Sequence, residues 1–64
     1  MKVKVSYLDG RSGFVQDCWY ADHDVIGDIQ ISDNIDSALV VDENELELIE
    51  TFYKEYGAKV ELVQ

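Results

Sequence analysis

Eleven carboxylates fall between Arg11 and Lys54, and no lysine or arginine stands among them. They are Asp17, Asp22, Asp24, Asp28, Asp33, Asp36, Asp42, Glu43, Glu45, Glu47 and Glu50. The whole chain carries a formal net charge of −9 over 64 residues. Carboxylates at this density repel phosphates, so direct binding to nucleic acid is not expected. They attract basic protein surfaces and speed the encounter with them. Glu43, Glu47, Glu50 and Lys54 recur at spacings of three and four, which places them on one narrow stripe of a helix. That stripe is equally what a solvated helix face requires, since acids near a helix N-terminus complement its dipole and favour solubility.

The remaining reactive side chains are few. Residues 22–33, Asp-His-Asp-Val-Ile-Gly-Asp-Ile-Gln-Ile-Ser-Asp, resemble part of the calcium-binding loop of EF-hand proteins. Asp22, Asp24, Gly27 and Ile29 match its first, third, sixth and eighth positions. Ile26 stands where that loop needs an oxygen ligand, and Asp33 where it needs a bidentate glutamate. No helical pattern precedes the segment, and Val25, Ile29 and Ile31 alternate as a strand does, so turn acids flanking a strand are the plainer account. His23 is the only histidine and Cys18 the only cysteine. Five residues apart, they fall short of the three or four ligands of a zinc site. A catalytic His23 would need a nucleophile, and Cys18, Ser32, Ser37 and Thr51 stand in no motif of that kind. No glycine-rich phosphate loop is present. No enzyme activity, cofactor or metal is expected.

The elements that must position these residues read clearly in outline. A hydrophobic content of 47% excludes a disordered acidic tail. One cysteine allows no internal disulfide, so packing must hold a chain of this size together. Residues 2–8 alternate as a half-buried strand, with Val3, Val5 and Tyr7 inward. Asp9 to Gly13 reads as a turn. Residues 14–20 are the return strand, expected to be the more central of the two, with Phe14, Cys18 and Tyr20 on one face and Val15 and Trp19 on the other. Loops of two or four residues would set Lys2 or Lys4 opposite Asp17. Ala21 to Asp24 reads as a connection, Val25 to Ser32 as a third strand with Gly27 at a bulge, and residues 33–36 as a turn. Residues 37–41 read as an extended lead-in to a helix over Glu43–Tyr56. Asp42 and Glu45 form a capping box there, and Val41 with Leu46 a hydrophobic staple. Gly57 suits the left-handed residue after the helix, and residues 58–64 form a last strand.

The expected fold is α+β: one domain over residues 1–64, a mostly antiparallel sheet of three to four strands with the helix packed on one face. In size and charge the chain resembles small DNA-mimicking inhibitors. The charge distribution leads to the expectation of a non-enzymatic module that binds a basic surface of a partner protein, one form of which is an inhibitor covering a nucleic-acid-binding site there. The residues expected to meet that partner are Asp17, Trp19, Asp22, Asp24, Asp28, Asp33, Asp36, Glu43, Glu47 and Glu50. Trp19 joins the acids because an exposed tryptophan beside Asp17 suits an interface hot spot. Two other readings stay open: an assembly subunit pairing with its own copy as a homodimer through the sheet, and a weak calcium-binding domain. Met1 to Leu8 lacks the unbroken apolar core of a signal peptide, and no stretch has the ~18 apolar residues of a membrane span, so a cytoplasmic location with no membrane contact is expected.

Overall fold

The computed structural model describes residues 1–63. Its elements are β1 (Lys2–Ser6), β2 (Ser12–Ala21), β3 (Asp24–Ser32), a short 3-10 turn (Ile35–Ser37), α1 (Glu43–Lys54) and β4 (Lys59–Val63). The strands form one antiparallel sheet in the order β3-β2-β1-β4, with α1 across one face. This is a small α+β fold, as the patterning predicts. β2 is interior but not more central than β1, contrary to the expectation from its two apolar faces, because β4 returns to pair along the free side of β1.

The β1–β2 loop runs from Tyr7 to Arg11, longer than either length considered above. Tyr7 accepts from Gly10 N (3.1 Å) and its own N–H donates to Arg11 O (2.7 Å). The pairs are therefore Lys4 with Phe14, Val5 with Gly13 and Ser6 with Ser12. Neither lysine meets Asp17; Lys2 instead donates its Nζ to the Ile35 carbonyl at 2.9 Å. Beyond these pairs β1 and β2 splay apart, and residues 38–41 fill the opening. Leu39 N donates to Val15 O at 2.8 Å and Val41 N to Met1 O at 2.8 Å, so the extended lead-in has partners for its backbone.

β2 does not keep the simple alternation that would set Phe14 and Cys18 on one face and Val15 and Trp19 on the other. The register with β3 shifts between Val15 and Asp17 and again between Asp17 and Trp19. The first bulge slips the alternation by one, so Val15 and Cys18, three apart, are both buried. Phe14 falls on the opposite face, where its neighbours across the strands are Lys4 and Ser32. The second shift lies opposite Gly27, whose φ of +69° places it in the left-handed region that suits glycine.

The helix begins where the capping box says. Asp42 Oδ1 accepts from Glu45 N at 2.8 Å, and Glu45 Oε1 accepts from Asp42 N at 3.2 Å. It ends at Lys54, two residues short of the expected Tyr56. The last turn tightens instead: Tyr56 N bonds to Tyr53 O (3.0 Å) and Gly57 N to Lys54 O (3.3 Å), leading into Gly57 at φ +67°. The expected last strand appears as Lys59–Val63; its final residue, Gln64, lies outside the described residues. Val3, Val5, Val15, Cys18, Ile29, Val41, Ile49 and Tyr53 form the core between sheet and helix. Tyr53 stacks edge-on with Tyr7 at 5.6 Å, and their hydroxyls share a 2.9 Å hydrogen bond.

Candidate functional site

α1 turns Ile49 and Tyr53 into the core and leaves one flank beside the β2–β3 hairpin uncovered. A hollow of about 870 Å³ opens there. Half-buried Val25 from β3 and Leu48 and Phe52 from the helix supply its apolar lining, joined by the exposed Tyr56 from the turn after the helix. Asp24, Glu47 and Glu55 rim it, Asn44 and Thr51 complete the helix wall, and no lysine or arginine lines it. Thr51 donates its hydroxyl to the Glu47 carbonyl at 2.9 Å, so that group is engaged with the helix backbone. Aromatic packing fixes the apolar lining, with Phe52 5.1 Å from Tyr56 and 5.2 Å from Tyr53 between ring centroids.

His23 forms the lip of this hollow. Asp22 and His23 make the two-residue turn between β2 and β3, with Ala21 paired to Asp24. Their φ angles are +52° and +73°, the pattern of a type I′ hairpin turn. Such a turn favours Asn-Gly; Asp tolerates its left-handed position, whereas His at the second position is strained by about 1 kcal/mol. A second hollow, about 570 Å³, lies further along the same side of the helix. Ile29, Phe52 and Tyr53 form its base, and Leu8, Asp9, Arg11 and Asp28 stand around it. There the Arg11 backbone N–H (3.0 Å) and Nε (2.7 Å) both donate to Asp9, holding its carboxyl below the ordinary value.

The residues expected to meet a partner therefore divide. Asp24 and Glu47 share the first hollow, Asp22 is at its hairpin, and Asp28 lies by the second. Glu43 and Glu50 extend from Glu47 along the exposed stripe of α1. Asp33 and Asp36 sit in the turn after β3, where Asp36 N donates to the Asn34 side chain at 3.0 Å. Asp17 and Trp19 belong to the other side of the sheet. Asp17 accepts from Cys18 N at 3.1 Å, and Trp19 faces Ile26 across the strands, the two 49% and 48% exposed. Three of the five cations, Lys2, Lys4 and Lys59, share that open face, since Lys4 pairs with Glu61 and Ser6 with Lys59. Glu55 and Leu48 were missed as site residues. With Asn44 and Thr51 they recur at helical spacing, but only the crossing of α1 over β3 reveals that this flank stays open.

Residues 22–33 are drawn out as a hairpin arm, which holds Asp22 and Asp33 at opposite ends of β3 rather than around one ion. Among the described residues no three His, Cys, Asp or Glu side chains gather as a metal site requires. Cys18 is buried, and that burial pushes its thiol above the ordinary 9.0. Burial likewise raises Tyr53 and Tyr20 above the ordinary 10.0. Among the described residues no partner meets the geometry of a hydrogen bond to the buried Tyr20 hydroxyl, although the Cys18 thiol and the Glu45 carboxylate lie close enough to raise it further. No helix among the described residues is long and apolar enough to cross a membrane. Comparison with protein families, with characterised proteins and with solved structures finds no match to this chain.

Proposed function

We propose that this chain is a non-enzymatic binding module whose hollow between α1 and the β2–β3 hairpin takes a basic, amphipathic segment of a partner protein. The observation that supports this is the meeting of four apolar side chains with three carboxylates, and with no lysine or arginine among the described residues, in one hollow. Leu48, Phe52 and Tyr56 offer contact energy that salt does not screen. The rim, continued by Glu43 and Glu50, steers a positive segment toward it. Basic surfaces of this kind are used to hold nucleic acid, and a module of this charge covers such a surface in place of phosphates. Excess duplex DNA then competes with it for the partner.

A heteronuclear NMR titration with a lysine- and leucine-rich amphipathic peptide tests the reading. Val25, Leu48 and Phe52 resonances are expected to move, with affinity falling as salt rises. Glu43→Lys with Glu47→Lys should weaken binding about tenfold while leaving the fold intact, both positions being exposed. Unmoved resonances at the hollow remove it as the site, and unchanged affinity in the double variant removes the helix acids.

A further inference from the structure

The sheet has two edges, and they are built differently. β3 carries the left-handed Gly27 at its register shift, with Asp24 and Asp28 on either side of it. A bulge and flanking charges are the usual means of keeping an edge from pairing with another chain. β4 has neither. It pairs with β1 through five consecutive residues, Lys59 to Val63, without a shift. Its outer side presents a regular strand, and Leu62 on the helix side is 55% exposed.

We propose that β4 is a homodimerisation edge: two copies pair β4 antiparallel about a two-fold axis through Val60, joining their sheets into one. The charges of the strand select this register. Lys59 and Glu61 lie on the open face on either side of Val60, 3.6 Å apart within one chain. With the axis at Val60, Lys59 stands opposite Glu61 of the second copy, and the reverse pair forms by symmetry. An axis one residue earlier sets Lys59 against itself, and one residue later sets Glu61 against itself. On the helix side the same register places Val60 against Val60 and Leu62 against Ala58 of the second copy. Val60 and Ala58 already pack on the core, so the apolar strip runs on from one copy into the next. The hollow beside β3 lies at the far edge of the sheet, so this pairing and the proposed partner binding are separate, and each can fail alone.

An interface this narrow gives a weak dimer, with Kd on the order of 100 µM. Sedimentation equilibrium on the full chain, from about 10 µM to about 1 mM, tests it with Lys59→Glu, Glu61→Lys and their equimolar mixture. Both side chains are exposed, so either reversal leaves the fold in place. The unaltered chain is expected to dimerise with rising concentration. Each reversal alone sets like charges opposite each other twice and should raise Kd about tenfold. The mixture sets two glutamates against two lysines and should return Kd to within about threefold of the original. A chain that stays monomeric at about 1 mM overturns the proposal. So does a dimer indifferent to either reversal, or a mixture that fails to recover.

Discussion

The two faces of the sheet follow opposite rules. On the helix side Val3, Val5, Val15 and Ile49 are wholly buried and Tyr53 nearly so. On the other side no helix packs among the described residues; Trp19 and Ile26 lie half exposed opposite each other toward the β2–β3 hairpin, while Lys2, Lys4 and Lys59 share the same face further along on β1 and β4. A chain of 64 residues builds one well-packed layer, and that layer carries its stability. The open face and the rims of the helix are free to carry charge and aromatics for other ends.

The largest expected effect comes from deleting side chains on each face. Ile49→Ala should cost about 3 kcal/mol, since a fully buried branched residue leaves a cavity. In so small a domain that lowers Tm by well over 10 °C. Trp19→Ala should cost under about 1 kcal/mol despite the larger side chain removed. Urea melts of both variants check this, and equal losses would show that the open face is covered in solution.

Alkaline pH acts on the buried layer alone. Tyr20 and Tyr53 are held above 10.0 in the folded chain, chiefly by burial. Below pH 10 both states keep these protons. Above it the unfolded chain releases them and the folded chain does not, so stability falls as pH rises, by up to about 1.4 kcal/mol per unit for each group. Urea melts between pH 8 and 11 should show a decline that begins near pH 9, where the buried Cys18 thiol acts in the same direction, and steepens near pH 10; Tyr20→Phe with Tyr53→Phe should shallow the steeper part.

The smallest effect has the opposite sign. His23→Gly relieves the positive φ of the hairpin turn and should stabilise by about 0.5–1 kcal/mol, a rise of a few degrees in Tm. A thermal melt that falls instead would show that His23 packs on the lip of the hollow strongly enough to offset its strain.

Much of the fold was legible because its signals are local. The Asp42–Glu45 capping box, the Gly57 terminator and the alternation of Val3 and Val5 each act within a few residues. The bulge at Gln16–Asp17 was not legible, because one slipped residue leaves no mark in composition yet moves Phe14 and Val15 to opposite faces. The Asp22–His23 turn was hidden for a related reason: its residues are poor at the conformation they adopt. The candidate site was legible only in part. The sequence marked Asp24 and Glu47 as acidic, but their meeting depends on how α1 crosses the sheet, a long-range matter. The same crossing leaves Asp17 and Trp19 on the far side, and Asp33 and Asp36 in a separate turn.

The order β3-β2-β1-β4 also governs how the chain reaches this state. β2 and β3 are joined by two residues and close locally, whereas the outermost β1–β4 pair joins Lys2 to Val63. Closing a loop of nearly the whole chain adds little equilibrium cost, since each doubling of length costs only about 0.6 kcal/mol, but contacts so distant in sequence slow folding. Until β4 arrives, β1 presents an open edge of alternating valines. The interval before the last strand docks is therefore when the chain is most exposed to pairing with, or exchanging β4 with, a neighbouring copy.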